Sequence, residues 1–140
     1  MIVLDTNVLS ELMQAATVPP VRRWLMGIDP KSLFTTSICE AEILVGIAVL
    51  PAGRRRSAIE VAAYRMFTED LDGRVLLFDS EAARNYAEIV AFRRRQGAPI
   101  QPMDGMIAAI ARANDASVAT RNIKDFEGCG IVLHDPWREL

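Results

Sequence analysis

The chain opens with the stretch Met1-Ile2-Val3-Leu4-Asp5-Thr6-Asn7, an apolar run that stops at a carboxylate. Such a run is typical of a parallel strand that is covered on both faces, because that strand has no solvent-facing side. The pattern therefore predicts a buried strand over Ile2 to Leu4, with Asp5 at its carboxyl end. Ligands of open α/β sheets bind at this end of the strands, so we interpret Asp5 as a candidate functional residue.

Apolar runs alternate with helical patterns along the rest of the chain. The further predicted strands are Leu33 to Thr35, Val75 to Phe78, Ser117 to Ala119 and Ile131 to Leu133. The predicted helices are Thr6 to Met13, Val21 to Met26, Ser37 to Leu50, about Ser57 to Leu71, Glu81 to Gln96 and about Met103 to Asn114. This alternation predicts a three-layer α/β/α fold with a mostly parallel central sheet of about five strands, in a single domain over residues 1–140.

Composition narrows the class of protein. The 140 residues are 51% hydrophobic, which is enough for one core without disulfide or metal staples. Cys39 and Cys129 have no CxxC partner and His134 is the single histidine, so a Cys/His metal site is not expected. Reduced thiols and a cytoplasmic location follow as the expectation. The longest uncharged run, Ile43 to Gly53, is too short to cross a bilayer, so no membrane role is expected.

The charge pattern leaves nucleic-acid binding open. A net charge of −2 argues against a uniformly basic surface that coats nucleic acid. The basic residues fall in tight groups, Arg22-Arg23, Arg54-Arg55-Arg56 and Arg93-Arg94-Arg95. The planar guanidinium suits phosphate, and the alternative for each group is a solvated helix end.

Two glutamates in the stretch Ser37-Ile38-Cys39-Glu40-Ala41-Glu42 are predicted to have different roles. Ser37 and Glu40 fit a capping box, so we interpret Glu40 as structural. The neighbours of Glu42 on the helix surface are apolar or small, namely Ile38, Val45, Gly46 and Val49. A carboxylate in such surroundings needs a partner, a cation or a raised pKa, so we interpret Glu42 as functional.

Further acidic and polar side chains stand at predicted helix starts and strand ends. Asp104 follows Pro102 and fits either a helix cap or a ligand, with Ile107, Ala108 and Ala111 on its own helix face. Thr120-Arg121-Asn122 and Asp125 follow the predicted strand Ser117 to Ala119. These are common turn residues, but they would share the crevice of Asp5 if the two strands are neighbours. Asp79 is interpreted as the N-cap of the helix that begins at Glu81.

A cluster of Asp5, Glu42, Asp104 and a group from the last loop would repel itself without a cation. An all-oxygen site without histidine or cysteine suits Mg²⁺ or Mn²⁺ and disfavours zinc. Such an ion activates water and stabilises the leaving oxygen in phosphodiester hydrolysis. The residues alone thus predict a divalent-metal site of the phosphodiesterase kind.

Four motifs resemble those of PIN-domain ribonucleases of the VapC/FitB-like toxin group, in the family's order over nearly the whole chain. They are Leu4-Asp5-Thr6-Asn7, Ala41-Glu42, Met103-Asp104-Gly105-Met106-Ile107-Ala108-Ala109, and Thr120-Arg121-Asn122 followed by Asp125-Phe126. The resemblance implies that Asp5, Glu42 and Asp104 are the acidic triad that holds Mg²⁺ or Mn²⁺.

The resemblance is less complete at the fourth acidic position. Many relatives have aspartate where this chain has Asn122, so either Asn122 or Asp125 is expected to complete the site. Thr120 resembles the family's hydroxyl residue beside the metal, and Asn7 resembles a polar residue that orients the acids. Two basic residues of the same loop are candidates for contact with RNA, Arg121 and Lys124.

The resemblance also implies a biological role. It suggests a metal-dependent endoribonuclease that is the toxin of a type II toxin-antitoxin pair, forms a homodimer, and receives a segment of its cognate antitoxin across the acidic groove. RNA as the substrate, toxicity and the antitoxin rest on the resemblance alone. The helix Ser37 to Leu50 is apolar nearly all round, which independently predicts burial against a protein partner.

Two other functions compete with this interpretation. The first is a catalytically weak PIN-like module that binds RNA or protein, which Asn122 in place of an acid would favour. The second is an aspartate-based phosphoryl-transfer domain with Asp5 as the acceptor, in which Asp79 and Lys124 would take part. Asn7 stands where one such family has its second aspartate, and Glu42 and Asp104 would have no role in it.

Overall fold

A sheet of five parallel strands forms the centre of the computed structural model, which describes residues 1–138; residues 139 and 140 of the predicted domain lie outside this range. The strands are β1 (Ile2–Leu4), β2 (Leu33–Thr36), β3 (Val75–Leu76), β4 (Ser117–Ala119) and β5 (Leu133–His134). Their spatial order is β3-β2-β1-β4-β5, and each neighbouring pair is parallel. The predicted parallel sheet is confirmed.

Helices connect the strands and cover the sheet. They are α1 (Thr6–Leu12), α2 (Pro19–Met26), α3 (Ser37–Ala48), α4 (Arg54–Arg65), α5 (Ser80–Arg95), α6 (Pro102–Ala113) and α7 (Ile123–Phe126). A 3₁₀ turn over Pro30–Ser32 precedes β2, and a π-helical turn over Met66–Asp70 extends α4. The predicted α/β/α architecture is confirmed. No helix within residues 1–138 has both the length and the apolarity that crossing a bilayer requires.

The centre of the sheet is the contact between β1 and β4. Val3 and Val118 have no exposed surface, and Leu4 lies opposite Ala119 in the parallel register. From β1 the chain builds β2 and β3 on one side and then returns to add β4 and β5 on the other. Because the direction of winding reverses between β1 and β4, the loops that follow these two strands diverge and leave a crevice at their carboxyl ends.

Two predicted strands end or begin elsewhere. β3 stops at Leu76 and not at Phe78, because its partner β2 ends at Thr36, opposite Leu76, where α3 begins. β5 comprises Leu133 and His134 and not Ile131 to Leu133, because these are the residues in register with the end of β4.

The predicted capping box at the start of α3 is wrong. The N-cap is Thr36, whose hydroxyl oxygen accepts the backbone N–H of Cys39 at 3.1 Å. A capping box formed by Ser37 and Glu40 would need Ser37 as the N-cap. The N-cap is one residue earlier, so Ser37 is already the first residue of the helix. Glu40 instead lies beside a surface cavity between α3 and α4, away from Glu42.

Other boundaries differ by a few residues, and one short helix was not predicted. α4 begins at Arg54 and not at about Ser57, because Gly53, with a φ of 155°, turns the chain directly before it. α7 was expected to be a loop. The N-cap predicted at Asp79 is confirmed, since its carboxylate accepts the backbone N–H of Ala82 at 2.9 Å.

Candidate active site

Asp5 lies at the point where the winding of the sheet reverses. Its side chain is 5% exposed and accepts three hydrogen bonds. The Thr6 backbone N–H donates to Oδ1 at 2.8 Å, while the Thr120 hydroxyl and the Asn7 amide donate to Oδ2 at 2.7 and 3.3 Å. These donors come from α1 and from the loop after β4, so both sides of the crevice hold the same carboxylate.

Thr120 and Asn7 also fix each other. Thr120 is fully buried, and its hydroxyl oxygen lies 3.4 Å from the Asn7 amide nitrogen. The backbone N–H of Asn122 donates to the Thr120 hydroxyl oxygen at 3.0 Å, and that of Arg121 donates to the Asn7 side-chain oxygen at 3.2 Å. The predicted supporting residues are therefore next to Asp5 and tie the β4 loop to α1.

Thr6 connects Asp5 to Glu42. Its backbone N–H binds Asp5, and its hydroxyl donates to Glu42 Oε1 at 3.0 Å. Glu42 is half-buried on α3, which packs against α1. Thr6 is not among the site residues predicted from the sequence, although it directly follows Asp5 and is the first residue of α1. One residue thus holds two carboxylates that are 37 positions apart in sequence.

Asp104 approaches the same crevice from the first turn of α6. Burial, together with the negative charges of Asp5, Asp125 and Glu42, raises the pKa of its carboxyl group to about 6. The approach depends on Gly105, where an added Cβ would lie 2.9 Å from Cε2 of Tyr86 on α5. The structure therefore brings Asp5, Glu42 and Asp104 to one place, from three different elements.

The pKa values of Asp5 and Glu42 are also raised. Burial raises the pKa of Asp5, and the hydrogen bonds from Thr120 and Thr6 oppose this rise. Burial also raises the pKa of Glu42, with a hydrogen bond from Thr6 that opposes the rise and the charge of Asp5 that adds to it. Mutual repulsion and loss of water thus disfavour the ionised acids, which is the condition that a bound cation would relieve.

Comparisons with known proteins identify the family of this chain. Residues 2–127 match the family described as the PIN domain. The chain belongs to the PIN-domain family. It is 40% identical to VapC ribonuclease Y4jK of Sinorhizobium fredii, over 98% of each chain. It is 31% identical to Toxin FitB of Neisseria gonorrhoeae, over 99% of this chain and 100% of that protein. A structure of FitAB bound to a DNA fragment superposes with a TM-score of 0.92 at 31% identity, over 100% of this chain and 98% of that chain.

Two candidates for the fourth acidic position lie after β4, Asn122 in the loop and Asp125 on α7. Asn122 is exposed, and within residues 1–138 only its backbone makes a hydrogen bond. Asp125 is also exposed on α7, but its charge raises the pKa values of both Asp5 and Asp104. The charge of Asp125 therefore acts on the other acids, which favours Asp125 over Asn122 as the fourth group.

Arg93 is a site residue that sequence analysis missed. It was grouped with Arg94 and Arg95 as phosphate-binding or solvated, yet it is 8% exposed. Its guanidinium donates to the carbonyl oxygens of Ala98, Asp125 and Glu127 at 2.6, 3.0 and 3.1 Å. Its charge also lowers the pKa of Asp104. The buried arginine thus fixes the loop that carries Asp125, and no local sequence signal separates it from its two neighbours.

The donor set of the PIN site fits a hard divalent cation. All candidate ligands are oxygen atoms, and Mg²⁺ binds proteins through one or two carboxylates while it keeps several waters. Within the described part of the chain no three His, Cys, Asp or Glu side chains stand close enough together to hold an ion by themselves, so the structure does not show a preformed metal cage.

The phosphoryl-transfer alternative does not fit this geometry. Asp79 caps α5 and follows β3, which lies at the edge of the sheet with β2 between it and β1. It does not share the crevice of Asp5, whereas Glu42 and Asp104 do.

Proposed function

We propose that the protein is a Mg²⁺- or Mn²⁺-dependent endoribonuclease that hydrolyses RNA phosphodiester bonds and is the toxin of a type II toxin-antitoxin pair. The observation that carries this proposal is the group of acids gathered at one crevice of a PIN domain, with pKa values raised by burial and by each other. The similar proteins named as a VapC ribonuclease and a FitB toxin support the reaction and the role.

Asp5, Glu42 and Asp104 would hold the ion, with Asp125 as the fourth charge. When bound, the ion supplies the lowered pKa of the attacking water and stabilises charge on the leaving oxygen. Three donors keep the Asp5 carboxylate in one orientation, and Thr6 does the same for Glu42. Arg93 holds the Asp125 loop at the rim of the crevice.

The choice between magnesium and manganese follows from the donors only in part. Both ions prefer oxygen ligands, so both are candidates, and Mg²⁺ is the cellular default that we propose. The two free cysteines are buried, which is compatible with the cytoplasmic location that we also propose.

The test of the proposed activity is cleavage of a fluorescent single-stranded RNA in Mg²⁺, in Mn²⁺ and in excess EDTA. Glu42→Gln should abolish cleavage, and Glu40→Gln, two residues away on the same helix but beside the α3–α4 cavity, should leave it unchanged. Equal losses in both variants, or cleavage that survives EDTA, would contradict the proposal.

The antitoxin-binding site that we propose is the groove between α1, α3 and α4. It has a volume of about 620 Å³ and reaches Glu42, and its lining further includes Thr6, Ile43, Gly46, Ile47 and Ile59, with Arg55 as a basic lining residue. Most of the lining is apolar and Glu42 adds a negative charge, which suits an amphipathic segment with a cationic residue placed at Glu42. The FitAB assembly of a similar toxin supports such a partner. Charge reversal by Glu42→Lys should weaken co-purification with the protein encoded by an adjacent reading frame.

The homodimer is proposed from apolar side chains on the outer faces of α3 and α4. Leu44, Val61 and Tyr64 are 51, 52 and 69% exposed, and Leu44 and Tyr64 line the α3–α4 cavity. Exposed apolar patches of this kind mark protein interfaces. Light scattering should give the mass of two chains, and Leu44→Glu should reduce it to that of one.

A catalytically weak binding module is the second candidate. It is favoured by Asn122, which brings an amide where many relatives carry an acid. RNA binding without cleavage in either metal would support this candidate. Gain of cleavage in Asn122→Asp would then show that the missing acid at position 122 is the cause of the weak activity.

A further inference from the structure

A cation–aromatic pair lies next to the acidic crevice and has no part in the proposed metal chemistry. The guanidinium carbon of Arg121 lies 5.0 Å from the centre of the Trp137 ring. Trp137 is half-buried after β5 and packs against the core, and its backbone N–H donates to Asp135 Oδ1 at 3.0 Å. Arg121 is exposed. The ring therefore has a fixed position, and the guanidinium rests on it with its outer side toward solvent.

The backbone fixes this pair relative to Asp5. Arg121 directly follows Thr120, and its N–H donates to the same Asn7 side chain that donates to Asp5. Two hydrogen bonds thus lead from the backbone of Arg121 to the central carboxylate. A nucleotide bound on Arg121 would have a defined position relative to the phosphate at the acids.

Arg121 is exposed and takes part in none of the ion pairs of the described residues. Contact with an indole ring leaves the guanidinium fully charged. The neighbouring crevice is acidic and repels the RNA backbone, so a strand needs a cationic contact close by. Guanidinium planes and aromatic rings are the groups on which proteins stack the bases of single-stranded RNA.

We propose that Arg121 and Trp137 form a stacking platform that binds one nucleobase of the RNA strand beside the cleaved phosphodiester. Trp137 is a positioning residue that holds the guanidinium plane, and Arg121 makes the contact with RNA. This inference rests on the proposed ribonuclease function and assigns part of its substrate recognition.

The location favours RNA over the antitoxin as the occupant. The platform lies at the β4 and β5 side of the crevice, whereas the proposed antitoxin groove is formed by α1, α3 and α4 and includes neither residue of the pair. Substrate and antitoxin would then meet only at the acids.

The experiment measures kcat and KM on a short single-stranded RNA with an intact or an abasic nucleotide next to the cleaved bond. Arg121→Ala and Trp137→Ala should each raise KM about tenfold with little change in kcat. Trp137→Phe should retain most of the affinity because a ring remains. Arg121→Lys keeps the positive charge but loses the guanidinium plane. Because the platform acts by stacking, this variant should behave like Arg121→Ala.

Lys124→Ala is the matched control, since Lys124 is an exposed cation on α7, three residues after Arg121, and makes no cation–π contact within residues 1–138. Its KM should rise equally for intact and abasic RNA. For the wild type, removal of the base should raise KM about tenfold, and for Arg121→Ala it should add nothing further.

Several results would overturn the platform. One is a wild-type KM in Arg121→Lys together with no effect of the abasic site, which would leave Arg121 as a simple charge. Another is an unchanged KM in Arg121→Ala while Asp5→Asn abolishes cleavage, so that the nuclease stands without the platform. A third is loss of antitoxin affinity in Trp137→Phe and Arg121→Ala with RNA affinity unchanged. If the wild type cleaves no RNA, the proposed ribonuclease function is wrong, and the platform is then tested by binding alone. Equal RNA affinity of the wild type and Arg121→Ala in fluorescence anisotropy would reject the platform.

Discussion

The carboxylates of the crevice are held in two different ways. Asp5 accepts three hydrogen bonds and is almost completely buried, so its orientation is set by the fold itself. Asp104 is half-buried, and within residues 1–138 no donor hydrogen-bonds its carboxylate. Its pKa of about 6 reflects burial and the charges of three other acids. The fold alone organises the half of the site around Asp5, whereas we expect a cation to offset the repulsion in the half around Asp104.

This difference explains why the site can persist before a metal binds. Hydrogen bonds to Asp5 offset part of the cost of its burial, and Arg93 offsets part of the charge near Asp104. We expect the remaining repulsion to lower the stability of the metal-free protein and to favour binding of a divalent cation.

The largest effect is expected for the organised half. Asp5→Asn should reduce kcat/KM to background, because it removes the central ligand charge, while the folded structure persists with less repulsion. The measurement is RNA cleavage together with thermal unfolding in EDTA. Measurable cleavage in this variant, confirmed by mass spectrometry to carry no residual wild type, would contradict the central role of Asp5.

Arg93 supports the half that depends on charge. Arg93→Ala should lower the free energy of unfolding by about 3 kcal/mol, because three backbone carbonyls lose their buried donor. Arg94→Ala is the matched control and should change stability by less than about 0.5 kcal/mol, since Arg94 is exposed. Urea unfolding of both variants measures the difference, and equal effects would show that Arg93 is not structural.

Thr6 links the two carboxylates of the organised half. Thr6→Val should lower kcat/KM about ten- to a hundredfold, as expected for loss of a group that orients a metal ligand. Thr6→Ser keeps the hydroxyl and should retain most of the activity. If both variants behave alike, the hydrogen bond to Glu42 has no part in catalysis.

The smallest effect is on pH dependence. Folding raises the pKa of Asp104 from 3.8 to about 6, so the native state binds protons more readily than the unfolded state over this interval. The stability of the metal-free protein should therefore fall as pH rises from 3.8 to about 6 and stay lower at neutral pH. Asp104→Asn should weaken this decline and raise Tm in EDTA at pH 7. A Tm that rises with pH in the same way for both proteins would contradict the assignment.

The sequence predicted the organised half of the site better than the other half. The apolar run before Asp5 and the short strand before Thr120 gave a parallel sheet, and the proximity of the two loops followed from their pairing. These signals are local and strong. Asp125 and Arg93 could not be assigned in this way, because an exposed acid on a short helix and one arginine of three carry no signal of where the chain places them.

Errors of the sequence analysis have a similar origin. Ser37 and Glu40 fit a capping pattern, but Thr36 took the cap because β2 leads into α3 without a loop. Strand β5 is defined by its register with β4, which the run Ile131 to Leu133 does not encode. Helix and strand types follow from side-chain patterns, whereas exact ends follow from tertiary pairing.

The central claim is that the crevice binds a divalent cation through Asp5, Glu42 and Asp104. The most direct measurement is calorimetric titration of metal-free protein with Mn²⁺ at pH 7, for the wild type, Asp5→Asn, Asp104→Asn and Glu40→Gln. We predict saturable binding in the wild type and Glu40→Gln, and strongly weakened binding in the other two variants. Absence of binding in the wild type, or equal affinity in all four proteins, would contradict the claim.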